Sequence, residues 1–97
     1  MDAKMIETMR DYFSTQPVEK AWVFGSYSRG EETSESDVDI MVLLDKDKHI
    51  GLQFFAMHED MKQLLGREVD LMTEQSLTSF ARPSAMRDRI LVYERAS

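Results

Sequence analysis

Ten residues separate the pair Gly25-Ser26 from Asp37-Val38-Asp39, and each group stands where a hydrophobic stretch meets polar chain. A glycine and a hydroxyl between a strand and a helix start aim backbone N–H groups and an O–H at one point. That is a favourable place for phosphate, because a helix N-terminus carries partial positive charge. Taken alone, the pair reads more simply as a turn glycine followed by an N-capping serine. Asp37 and Asp39 alternate with Val38 on what should be one strand, so their side chains share a face. Two carboxylates about 4 Å apart repel by about 4 kcal/mol at an effective dielectric of about 20. A hard divalent cation such as Mg²⁺ would relieve that repulsion and coordinate substrate phosphates as well. The plainer reading is a pair of solvated aspartates at a wet strand end. Against it stands Asp70, a third carboxylate set inside the hydrophobic stretch Glu68-Val69-Asp70-Leu71-Met72. If these two strands are neighbours, Asp70 approaches the pair. Three carboxylates can then hold two metal ions for an in-line phosphoryl displacement. Asp70 would also be the candidate general base for an attacking hydroxyl.

These residues need a scaffold, and its elements are visible in the spacing of apolar residues. From Asp2 to about Ser14, Met5, Ile6, Met9, Tyr12 and Phe13 recur at three- and four-residue intervals and predict a helix closed by Pro17. Ala21-Trp22-Val23-Phe24 is a buried strand stopped by Gly25. The polar stretch from Ser26 to Ser36 predicts a short helix and then a loop. In the second strand, Asp37 to Leu44, Asp37, Asp39, Met41 and Leu43 share one face, and Val38, Ile40, Val42 and Leu44 the other. Asp45 to Lys48 alternates in charge and reads as a connector. From about Ile50 to Leu65, Phe54, Met57, Met61, Leu64 and Leu65 predict the longest helix, with Gly66 at its left-handed cap. Glu68 to Met72 is a third strand, with Asp70 facing away from Val69 and Leu71. Beyond Thr73 the pattern weakens: Ala81-Arg82-Pro83 suggests a helix entry, and Leu91-Val92-Tyr93 a last turn or a small edge strand. The expected architecture is α/β or α+β, a small mixed sheet of three to four strands backed by helices.

The chain of 97 residues supports one domain, 1–97, since halves of it would bury too little surface. A net charge of −6 argues against direct nucleic-acid binding through phosphate neutralisation, so an anionic ligand would need help from metal or backbone. The absence of cysteine excludes a disulfide framework and thiolate zinc, and fits a reducing compartment, with the cytoplasm as the expected location. The polar start, Met1 to Met5, and the lack of any run near the ~18 apolar residues of a membrane span suggest neither signal peptide nor anchor.

Gly25-Ser26, Arg29-Gly30, Ser36-Asp37-Val38-Asp39-Ile40 and the separate strand aspartate of Glu68-Val69-Asp70-Leu71 resemble the minimal nucleotidyltransferases of the DNA polymerase β superfamily. The resemblance runs from Trp22 to Met72 in motif and out to Tyr93 in layout. It implies a polymerase-β-like nucleotidyltransferase fold. It assigns Gly25 and Ser26 to nucleotide phosphates, Asp37 and Asp39 to Mg²⁺, Asp70 to completing the site and Arg29 to a supporting basic role. Two Mg²⁺ ions and ATP as substrate are implied, without the extra helical domain with which larger members bind base or acceptor. Minimal members are often encoded beside a HEPN-family helical ribonuclease toxin and act as its antitoxin, several by placing AMP on a toxin tyrosine. The resemblance therefore implies a protein adenylyltransferase with a HEPN toxin as partner. Two other classes stay open: a catalytically silent binding module that neutralises the partner by contact, and an RNA- or small-molecule-directed transferase that needs a separate subunit.

The remaining residues have structural readings. His49 falls in the connector, and His58 lies beside the apolar stripe with no second ligand one turn on. The Met5/Met9 and Met57/Met61 pairs are at core spacing, with a methionine-rich contact surface as the minor alternative. Lys46, Lys48, Arg82, Arg87 and Arg89 read as solvated, with the alternative that one or two of them reach a triphosphate or an acidic patch, and Trp22, Phe24 and Phe80 read as core.

Overall fold

The computed structural model describes residues 3–33, 37–45, 51–73, 87 and 89–96, with Ser26 described in its backbone only. Helix α1 spans Ala3–Phe13 and strand β1 Val18–Phe24. A single 3₁₀ turn, Gly25–Tyr27, leads toward strand β2, Val38–Leu44. Helix α2 spans Gly51–Leu65, strand β3 Val69–Thr73 and strand β4 Ile90–Glu94. The sheet order is β3-β2-β1-β4, with β1 antiparallel to both β2 and β4, and β2 parallel to β3. This is the mixed four-stranded sheet expected, with Leu91-Val92-Tyr93 resolved as part of an edge strand. The parallel pair requires a crossover, and α2 lies within it.

The predicted helical stripe of α1 is the face that packs: Met9 and Phe13 are fully buried, and Met5, Ile6 and Tyr12 lean on the same core. From α2, Met57 and Met61 enter that core, where they meet Val38, Ile40 and Val42 of β2 and Val69 and Leu71 of β3. Each fully buried side chain of this size contributes about 1.5–3 kcal/mol, so Met9, Phe13, Met57 and Met61 are the main anchors of the two helices on one face of the sheet, with Phe54 and Leu65 of α2 also packed against it. Gly66, at φ 64°, ends α2 in the left-handed conformation its position predicts, with its N–H bonded to Lys62 O at 2.9 Å. The opposite sheet face carries a second small cluster, Trp22, Phe24 and Met41, with Leu43 and Met72 against it.

Three expectations need correction. β1 begins at Val18, three residues before the apolar run, because Val18 pairs with Leu44 and Lys20 pairs with Glu94, 3.3 Å apart as an ion pair. Leu64 is 51% exposed despite its helical spacing, since it sits at the edge of the α2 stripe, where Met61 and Leu65 take the core. Arg89 is not merely solvated: its guanidinium lies 4.7 Å from the centre of the Trp22 ring, a cation–π contact. Arg87 is exposed as expected. Lys46, Lys48, His49, Phe80, Arg82 and the helix entry at 81–83 lie outside the described residues. Among the described residues, no helix is long and apolar enough to cross a membrane.

Candidate active site

The carboxylates meet on one row of the sheet. Asp39, on β2, is in register with Phe24 at the end of β1 on one side and with Asp70 of β3 on the other. Neighbouring strands lie about 4.8 Å apart, and side chains in register share a face. Asp39 and Asp70 therefore stand side by side, on the face opposite the helix-backed core that holds Val38, Ile40, Val69 and Leu71. Asp37, one residue ahead of β2, and Asp70 are exposed, whereas Asp39 is partly buried between them.

Asp39 registers this crowding. Its carboxyl is pushed above the ordinary 3.8 first by burial, then by the charges of Asp70 and Asp37, while Arg29 opposes the shift. The structure thus brings Asp37, Asp39, Asp70 and Arg29 into one electrostatic neighbourhood. Arg29 also pairs with Glu31, its Nε 3.2 Å from Oε2 at the surface, a pair of small energetic weight.

Gly25 completes the arrangement. Its φ is 75°, a left-handed conformation that L side chains rarely adopt, and a Cβ built there would overlap Asp39 Oδ2. Glycine is needed here both for the turn and for the close approach of the carboxylate. The Gly25 carbonyl then accepts three bonds, from the Ser28 N–H at 3.2 Å, the Arg29 N–H at 3.3 Å and the Ser28 hydroxyl at 2.8 Å. Ser28 was not singled out from sequence; its signal is only a hydroxyl three residues after a turn glycine. It locks the turn that carries Ser26 and Arg29.

The expected short helix after Gly25 is a three-residue 3₁₀ turn, and Gly30, at φ 70°, prevents its continuation. A helix-dipole argument for phosphate therefore lapses. What remains is a tight turn beside a carboxylate row, with Arg29 adjoining. The Ser26 side chain lies outside what is described.

Among the described residues, no three His, Cys, Asp or Glu side chains come together closely enough to hold a metal ion. The donors are nevertheless of the right kind: carboxylate oxygens only, arrayed on adjoining strands, with the central one made harder to ionise by burial and then by its like-charged neighbours. Such a set fits a hard divalent cation. His58 does not join it; its Nε2 is 2.6 Å from the Val69 carbonyl.

Residues 3–92 match the family model described as the nucleotidyltransferase domain. The chain belongs to the nucleotidyltransferase family. Protein adenylyltransferase MntA of Thermococcus cleftensis is 39% identical to this nucleotidyltransferase over 75 residues, which is 77% of this chain and 75% of that protein. Among solved structures, a toxin–antitoxin crystal structure with AMP-PNP superposes with a TM-score of 0.77 at 20% identity, covering 93% of this chain and 73% of the other. The tri-AMPylated Shewanella oneidensis HEPN toxin in complex with MNT antitoxin gives 0.62 at 22%, covering 95% and 68%. At these identities the two structures speak to the fold, and the nucleotidyltransferase fold is the mixed sheet with two backing helices described above.

Proposed function

We propose that this nucleotidyltransferase is Mg²⁺-dependent, transfers AMP from ATP to a tyrosine hydroxyl of a HEPN-type toxin partner, and so acts as its antitoxin in the cytoplasm. The observation that carries the reading is the register of Asp39 with Asp70, flanked by Asp37 and by the Gly25 turn. The adenylyltransferase name of the Thermococcus cleftensis relative, and the toxin–antitoxin context of the similar folds, favour a protein hydroxyl as acceptor.

The turn from Gly25 to Arg29 would seat the triphosphate, with the Arg29 guanidinium offsetting its charge. Asp37, Asp39 and Asp70 would hold two Mg²⁺ ions, which supply charge neutralisation at the transferred phosphoryl group when bound. Asp70, exposed on its strand, takes the proton of the incoming tyrosine hydroxyl. The phenolic oxygen forms a bond to the α-phosphorus as the bond to the β-phosphate oxygen breaks, and pyrophosphate leaves. The product is a tyrosine–AMP phosphodiester.

Mass spectrometry of the toxin after incubation with this chain, ATP and Mg²⁺ tests the reading. An adenylyl adduct on tyrosine is expected with the wild-type chain and not with Asp70→Asn; an unmodified toxin under both conditions would remove the proposal. A second reading, a catalytically silent antitoxin acting by contact, is favoured by one feature. Leu52 and Phe55 on the outer side of α2 are 89% and 63% exposed, as in a protein-binding surface. Neutralisation of the toxin by an Asp37→Ala/Asp39→Ala chain would select it.

A further inference from the structure

Asp70 rides on the outermost strand of the sheet, and a strand there has a neighbour on one side only. In the order β3-β2-β1-β4, β3 pairs with β2 alone among the described residues. The Glu68 carbonyl points inward, accepting the Val38 N–H at 3.0 Å. Successive carbonyls along a strand point to opposite edges, so the Val69 carbonyl is turned outward, where no strand among the described residues pairs with it. His58 fills that gap from α2: its Nε2 lies 2.6 Å from Val69 O in a partly buried contact eleven residues away in sequence. A carbonyl can only accept, so this ring nitrogen carries the proton.

The bonded carbonyl belongs to the peptide unit whose nitrogen is that of Asp70. Holding this plane sets the direction in which the Asp70 side chain leaves the strand, and with it the spacing between Asp70 and Asp39. Two weaker ties act on the residues just before it. The Arg67 guanidinium stands 5.8 Å from the centre of the Tyr27 ring, linking the approach to β3 with the Gly25–Tyr27 turn. Lys62 of α2 lies 3.4 Å from Glu68 at the surface. Neither reaches the peptide that carries Asp70.

We propose that His58 is a positioning residue for Asp70: by donating to the Val69 carbonyl at the open edge of β3, it holds the third carboxylate against Asp39. The inference rests on the reading above, in which Asp70 works in the transferase site. A displacement of about 1 Å in a reacting group costs as much as about a hundredfold in rate, so a loosened edge strand should be felt mainly in turnover.

The test compares the full-length wild-type chain with His58→Ala and His58→Gln, the glutamine amide N–H reaching about as far as imidazole Nε2–H. With the toxin as acceptor, kcat should fall about tenfold or more in His58→Ala while KM for ATP stays within about twofold, and His58→Gln should recover most of the loss. Nitrogen-15 NMR should place the neutral ring's proton on Nε2. Mn²⁺ titration followed by electron paramagnetic resonance reads the same geometry without turnover, and should show weaker binding in His58→Ala that His58→Gln restores. A ring proton found on Nδ1, or wild-type kcat and Mn²⁺ affinity in His58→Ala, would overturn the proposal. So would a glutamine variant as impaired as the alanine one. If the wild-type chain modifies no acceptor, the functional reading fails, and the Mn²⁺ series alone decides on His58, recovery by glutamine supporting the role and equal affinities refuting it.

Discussion

The carboxylate of Asp39 rests against the bare Cα of Gly25, at the point where β1 ends and the site turn begins. One contact thus couples the Gly25 turn, proposed to seat phosphate, to the carboxylate row proposed to hold metal. Gly25→Ala should fail on both counts: a left-handed alanine costs about 1–2 kcal/mol, and its methyl would drive Asp39 from its place. For a domain of this size the backbone term alone lowers Tm by about 4–16 °C. Nucleotide transfer should drop by more than the instability explains. Thermal melts beside transfer assays at a temperature where both proteins are folded would check this, and an active Gly25→Ala would show that Asp39 need not sit where it does.

Asp70→Asn should separate chemistry from folding. Asp70 is exposed on the site face, so the change should alter stability by no more than about 0.5 kcal/mol. Loss of a base or ligand should lower kcat by about 10²–10⁴-fold. A parallel loss of folded protein would instead make the residue structural.

Asp39 gives a pH dependence of defined sign. Its carboxyl titrates above the ordinary 3.8 in the folded chain, so the unfolded chain ionises first and stability falls as pH rises from that value through the folded one. Below 3.8 the effect is absent. Asp39→Asn removes this contribution, so its Tm relative to wild type should rise between pH 3 and pH 7. Stabilisation by Mg²⁺ should run the other way, growing over the same window as Asp39 loses its proton. Melting curves across this range, with and without Mg²⁺, are the measurement; a Tm difference constant with pH would deny Asp39 its central place.

Much of this site was legible in sequence because strand alternation is a local rule. Asp37, Asp39 and Asp70 fall on one face by counting, and the apolar residues between them state which face that is. Pairing was not legible: the register that sets Asp39 beside Asp70 depends on the crossover through α2, a tertiary fact. Gly25 was visible as a turn, but its contact with Asp39 belongs to two strands at once. The helix expected after it failed because the polar composition of 26–36 suits a helix start and a loop equally, and only Gly30 in the left-handed region decides. His58 was read as a helix-flank residue, since nothing local announces an unfilled carbonyl at a sheet edge.

The two helices are held by few side chains, and Met61, fully buried between α2 and β2, should be among the most sensitive. Met61→Ala is expected to cost about 2–5 kcal/mol by urea denaturation while leaving the nucleotide affinity of the folded fraction near wild type. A loss below about 1 kcal/mol would mean that the core repacks around the gap.

The central claim is that Asp37, Asp39 and Asp70 with the Gly25 turn form one metal-dependent nucleotide site. Calorimetric titration with a non-hydrolysable ATP analogue, with and without Mg²⁺, beside an Asp37→Asn/Asp39→Asn chain, tests it most directly. The account predicts binding by the wild-type protein only when Mg²⁺ is present, lost in the double variant. Equal binding by both proteins, or binding indifferent to Mg²⁺, would contradict it.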